Sequence, residues 1–417
     1  MSRVVITCWG SYGDVYPYVG FAKVLNARGH HSVIAAPVFY RQAVEQEQIE
    51  FAAAGPEVDP TDRGVLARAM HPVKGPEAVV RDLVVPAMSQ TYSDLQRASD
   101  GADLIVGHPL TFAAPMVAQI RGLRFVSTVL APLGFFSVTD LPVLPLAPKL
   151  VHLRALGSWF GRAMVGLSRR ATRAWMEPVE RFRAALGLPA GGHPLFEGQF
   201  SPAMTLALFS HVMAEPQPDW PPNVQVTGFV LYNGPGALDA ALESFLAEGP
   251  APIVFTLGTS AVGAAGRFYH ESVETALRLG ARAVLLTGGF PENVPPGPRR
   301  PEILFVDRAP HQWLFPRASV VVHQGGIGTT AQALRSGRPM LVVPHSHDQP
   351  DNAFRVTNLG VARTLYPGRY QAARVARELQ RLLDGEAYRE RAAAVAAAVN
   401  RERGADAAAD ALEQLLP

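Results

Sequence analysis

At 417 residues the chain exceeds what one ordinary hydrophobic core organises, so two domains of about 200 residues each are the default. Hydrophobic residues make up 48% and charged residues 18%, with a net charge of +2, which describes a globular protein and gives no electrostatic ground for nucleic-acid binding. The single cysteine, Cys8, excludes an internal disulfide and a cysteine-ligated zinc site, and in its apolar strand it reads as a buried structural thiol.

The chain runs almost at once into V-V-I-T-C-W, with no basic region, long apolar core or cleavage site before it, so a first strand is expected rather than a signal peptide. Val4 to Trp9 is predicted as a buried parallel strand, G-S-Y-G-D-V-Y-P as a loop, and Tyr18 to Ala27 as an amphipathic helix stopped by Gly29. Further strands are predicted at Ser32 to Ala36, Asp103 to Gly107, Arg124 to Leu130 and Thr205 to Phe209. The proline-dense Glu215 to Asn223 lies where a domain linker is expected. The alternation then restarts with Ile253 to Leu257, Ala283 to Thr287, Ile303 to Val306, Val320 to Val322 and Leu341 to Val343, and Tyr370 to Leu416 reads as successive helices. Continuous apolar strands alternating with helices indicate an α/β protein of two Rossmann-like, doubly wound domains facing across a cleft, residues 1–220 and 221–400. No apolar run reaches the roughly 18 residues a spanning helix needs, and a cytoplasmic protein is expected.

Leu133 to Arg183 breaks the rhythm: proline-rich and apolar at first, then helical, with Trp159, Leu167 and Trp175 interleaved with Arg154, Arg162, Arg169, Arg170 and Arg173. An ordinary amphipathic helix pair is one reading. The other is an apolar ligand pocket whose arginine rim touches an anionic membrane surface, peripheral to its inner face.

The most informative stretch runs from His323 to Val356. A buried strand ends at His323, Gly325 to Gly328 is too glycine-rich for an element interior, and Thr329 to Ser336 turns helical before Gly337. Strand, glycine turn and helix N-terminus aim bare N–H groups and a positive dipole end at one spot, a geometry suited to phosphate. The next strand delivers Asp348 and Gln349 to the same sheet edge, where a carboxylate beside an amide suits sugar hydroxyls. Asp351 is the better placed helix cap, which leaves Asp348 free for ligand.

Together A-P-H-Q-W-L-F-P-R (Ala309 to Arg317), H-Q-G-G-I-G-T-T and the D-Q pair resemble the donor-binding signature of family 1 glycosyltransferases, nearest in motif to bacterial rhamnolipid-type rhamnosyltransferases and sterol-type glucosyltransferases. The resemblance implies a GT-B fold and an inverting, metal-independent transfer of a hexosyl or deoxyhexosyl group. The donor would be a UDP- or dTDP-sugar, the acceptor a hydroxyl on a lipophilic molecule, with no further cofactor. It also implies that the last helix, within 401–417, crosses back onto the N-terminal domain.

Residue by residue, the resemblance places His323, Gly325, Gly326, Gly328 and Thr329 at the donor phosphates, with Gly258, Thr259 and Ser260 as a second phosphate-facing loop. Asp348 and Gln349 would hold the sugar. Arg308, before Ala309, stands where plant relatives stack a tryptophan on the base, and Ala331 where many relatives grip the ribose with glutamate. The base that deprotonates the acceptor would be Asp14, which lies too early to cap a helix starting near Pro17, with His108 as its partner in a dyad. Tyr12, Phe135 and Phe136 are the expected acceptor contacts, with residues 60–90 and 133–170 around them. The rival readings are a nucleotide-sugar epimerase or hydrolase, and a non-catalytic nucleotide-sugar-binding partner protein.

Overall fold

The computed structural model describes residues 1–417 apart from 60, 61, 146, 233 and 235, so part of both segments expected around the acceptor lies outside the described residues. The described residues form two all-parallel sheets. The first has seven strands in the order β3-β2-β1-β4-β5-β6-β7: β1 Arg3–Thr7, β2 His31–Ala36, β3 Glu50–Ala53, β4 Leu104–Gly107, β5 Arg124–Val129, β6 Met204–Ala207 and β7 Val224–Val226. The second has six in the order β10-β9-β8-β11-β12-β13: β8 Ile253–Thr256, β9 Ala283–Leu286, β10 Ile303–Val306, β11 Val320–His323, β12 Met340–Val342 and β13 Ala362–Thr364. The central strands are buried from end to end, as in I-V-F-T of β8 and V-V-V-H of β11, because helices cover both faces.

In each sheet the winding direction reverses once, between β1 and β4 and between β8 and β11. Ligands of doubly wound sheets bind beyond the carboxyl ends of strands at such a reversal. Gly10 to Asp14 follow β1, His108 follows β4, Gly258 to Ser260 follow β8, and the glycine turn follows β11.

Two sequence boundaries move. The first helix, α1, spans Tyr12–Ala27 and runs through Pro17 instead of starting beside it. Proline forfeits one helical hydrogen bond, which buried packing of Tyr18, Phe21 and Leu25 outweighs. The proline-dense Glu215 to Asn223 is no interdomain linker: β7 follows it and pairs with β6, so the first sheet extends past residue 220.

Helix α2, Arg63–Ala69, reaches from the first domain onto the second. Helix α3, Ser158–Ala185, buries only Gly161, Met176 and Val179, and leaves Trp159 and Leu167 about 60% exposed. The proline-rich stretch before it is a seam between domains. Val143 donates its N–H to Asp351 at 2.9 Å, and Asp140 pairs with Arg355 at 2.7 Å. Helix α4 is Ile327–Ser336 and α5 is Gln349–Asn358. The last helix, α6, Gly404–Glu413, lies against α1, where Arg28 meets Asp410 at 2.6 Å and Glu413 at 3.1 Å. No helix among the described residues is long and apolar enough to cross a membrane.

Candidate active site

A cleft of about 630 Å³ separates the two sheets, and the first turn of α1 forms one wall. Ser11 caps α1, and Asp14 folds back so that Oδ2 accepts from the Ser11 N–H at 2.7 Å and the Ser11 hydroxyl at 2.8 Å. Gly10 permits this. Its φ is 131°, and a Cβ there would stand 2.5 Å from Asp14 Oδ2. Asp14 therefore does serve the helix end, contrary to the sequence argument, because the helix starts at Tyr12. It also lines the cleft, and its Oδ1 carries no hydrogen bond among the described residues. Burial pushes its carboxyl above the usual range, against the pull of the Ser11 bonds.

His108 does not complete a dyad. Its Nδ1 accepts from the Leu110 N–H at 3.1 Å, its carbonyl accepts from the Thr111 hydroxyl, and no hydrogen bond joins it to Asp14 among the described residues. The ring closes the turn after β4 and is absent from the cleft wall. Burial lowers its pKa to about 3, so it stays neutral.

Opposite Asp14 lies the N-terminus of α4, capped by Gly326, with Gly326, Ile327, Gly328 and Thr329 on the cleft wall. Two helix N-termini thus converge. Their first-turn N–H groups, of which that of Ile327 also faces the Asp348 carboxylate, and their positive dipole ends make the gap between them attractive to an anion. Gly258, Thr259 and Ser260 line the same space, where Thr256 Oγ1 accepts from the Gly258 N–H at 3.0 Å.

The expected phosphate contact from the His323 ring is not available. His323 is fully buried, with Nδ1 accepting from the Gly325 N–H at 3.1 Å and Nε2 facing Met340 Sδ at 3.4 Å. Burial lowers its pKa to about 3. His323 and Gly325 shape the turn from beneath; neither is on the cleft wall. The side chains that do reach it include Gln324 and Gln332, which sequence reasoning missed. Both are buried in the wall, each with an Oε1 that has no partner among the described residues. An orphaned buried carbonyl is costly, and its presence at a cleft points to a ligand donor.

Asp348 stands at the N-cap position of α5 without capping it, and its Oδ2 accepts from Asn352 Nδ2 at 2.7 Å. Its pKa is pushed up to about 7, first by burial and then by the Asp14 carboxylate. Asp351, the cap expected from sequence, is fully buried and ion-paired to Arg355 at 2.7 Å instead. Gln349 accepts from the His345 N–H at 2.8 Å, which ties its loop closed. Arg308 and Ala309 are on the wall beside Ala331, and the Arg308 guanidinium lies over the Tyr12 ring at 5.9 Å.

A model of the erythromycin biosynthesis protein CIII-like C-terminal domain matches residues 271–415. The O-mycaminosyltylonolide 6-deoxyallosyltransferase of Streptomyces fradiae is 32% identical over 99% of this chain and 97% of its own length. The chain belongs to the family 1 glycosyltransferases. A sterol 3-beta-glucosyltransferase of Leptosphaeria maculans is 25% identical over 86% of this chain, which spans 25% of that longer relative. In fold, the glycosyltransferase VinC, solved in complex with dTDP, superposes with a TM-score of 0.67 at 22% identity, covering 99% of each chain.

In this glycosyltransferase the far end of the cleft is apolar, with Val65, Leu66, Met70, Val79 and Leu83 facing it. Tyr12 is on the wall, packed against Tyr16 and Tyr40 at 5.0 and 5.3 Å. Phe135 and Phe136 are not. Phe135 stacks on Trp220 at 4.0 Å within the domain core, and the half-buried Phe136 packs on Phe196 at 4.6 Å, away from the cleft. Among the described residues no cluster of three or more His, Cys, Asp or Glu could hold a metal ion.

Proposed function

We propose that this glycosyltransferase moves a hexosyl or deoxyhexosyl group from a dTDP- or UDP-sugar to a hydroxyl of a lipophilic acceptor, with inversion and without a metal ion. The observation that carries the reading is Asp14 standing across the cleft from the N-terminus of α4, with an apolar chamber beside them. Asp14 Oδ1 takes the acceptor proton while the acceptor oxygen attacks the anomeric carbon from the face opposite the diphosphate. The bond from that carbon to the phosphate oxygen breaks, and its electron pair leaves with the nucleoside diphosphate. The N–H groups of the α4 N-terminus and the Thr329 and Ser260 hydroxyls receive that charge, which is the work a metal ion does elsewhere. Asp348 and Gln349 hold sugar hydroxyls. Ala331 in place of an acidic residue, and the dTDP bound by VinC, favour a deoxyribonucleotide donor. Trp159 and Leu167 beside Arg162 and Arg170 on the exposed face of α3 support weak contact with an anionic membrane surface.

The test begins with thermal shifts in dTDP and UDP. The responding nucleotide's sugars are then incubated alone and with hydroxylated lipophilic acceptors. Glycosylated product of inverted configuration, formed in EDTA, supports the proposal. Sugar epimerised or freed without acceptor would favour an epimerase or hydrolase, and bound but unreacted donor a binding protein.

A further inference from the structure

The loop that presents Asp348 is fastened to the opposite domain. His347, immediately before it, has φ 57° without being glycine, a left-handed conformation that needs outside support. Its Nε2 donates to the Ala69 carbonyl at 2.8 Å, and Ser346 Oγ donates to the His71 carbonyl at 3.2 Å. Both acceptors belong to the end of α2 and the turn after it. The turn packs so closely that a Cβ on Gly75 would meet Ala69 O at 2.1 Å and Ser346 Oγ at 2.9 Å. At its other end α2 is pinned by Arg63 to Glu292 at 2.6 Å, and Leu66 fills the space over Gly263. Val65, Leu66 and Ala69 face the apolar chamber, while His347 and Asp348 face the polar end of the same cleft.

We propose that His347 is a positioning residue: through the Ala69 carbonyl it makes the placement of Asp348 depend on segment 62–75, the wall of the acceptor chamber. The inference rests on the reading of Asp348 as the sugar-holding carboxylate and of the chamber as the acceptor site. Donor sugar and acceptor are then felt by one another through this hydrogen-bonded latch.

The test is amide hydrogen exchange on the full chain without ligand. His347→Gly deletes the bond while relieving the backbone. It should speed exchange about tenfold, the order expected for one lost hydrogen bond, in 62–75 and 345–349 together, with α4 unchanged. Ser346→Ala should move both segments the same way by less, and His347→Gln, which restores an N–H at similar reach, should recover them. Faster exchange confined to 345–349, or unchanged exchange in 62–75 in both the His347→Gly and Ser346→Ala proteins, would overturn the latch. In the transfer assay, His347→Gly should raise the acceptor KM. Absence of any transfer by the wild type counts against the proposed function and leaves the exchange result standing.

Discussion

Gly328 of α4 touches Gly13 of α1 across the cleft: a Cβ on Gly328 would lie 3.3 Å from Gly13 Cα and 3.6 Å from its carbonyl oxygen. Pro17 has no N–H to offer that carbonyl, so the first turn of α1 is open where the two helix ends meet. A side chain on Gly328 must push them apart by a few tenths of an ångström. With attack geometry sensitive at the level of 1 Å, Gly328→Ala is expected to lower kcat about tenfold. Steady-state kinetics, with dTDP affinity measured by calorimetry, should show the rate falling more than nucleotide binding.

Asp14→Asn keeps an oxygen to accept from the Ser11 N–H, so α1 should remain capped and the melting temperature nearly constant. Loss of a general base is expected to cost about 10²–10⁴ in kcat. Full turnover by this variant, with donor binding intact, would remove Asp14 from the reaction.

Asp348 carries the clearest pH signature. Its folded-state pKa is about 7, against about 3.9 for an unperturbed aspartate. Between those values the folded chain holds a proton that the unfolded chain has released, so stability falls as pH rises from about 4 to about 7. Urea titrations of the ligand-free protein should show that decline. Asp348→Asn should flatten it, since neither state of the amide titrates.

Arg355 is 8% exposed, between Asp351 and Asp140, and ties α5 to the segment before α3. Removing it leaves the buried Asp351 with the Val143 N–H and only a longer ion pair to Arg154, at 3.9 Å. Arg355→Ala is therefore expected to destabilise by about 3–5 kcal/mol, read by equilibrium denaturation.

The central strands and the helix after the glycine turn were legible because their signals are local: runs of buried β-branched residues, and glycines ahead of a 3.6-residue period. Strands β3, β7 and β13 were not. E-F-A-A, V-Q-V and A-R-T are short, and β3, β7 and β13 are sheet-edge strands with residues left partly open, so no apolar run marks them. Pro17 misled in the same way, since only tertiary packing makes a helix through it worthwhile.

The glycine turn and the D-Q pair were readable as a motif, yet the placement of the side chains within it was not. His323 and Gln324 are neighbours with opposite outlooks, one sealed beneath the turn and the other on the cleft wall, and a strand's alternation decides which only once its depth in the sheet is known. By itself the order of residues determined the two sheets, the glycine turn and the Asp348–Gln349 pair, because short-range spacing specifies them. The tertiary structure alone decided that Asp14 faces α4, that Phe135 and Phe136 leave the site, and that His347 is held by Ala69. Each of these is a contact between distant segments, set by how two domains pack and invisible to any local pattern.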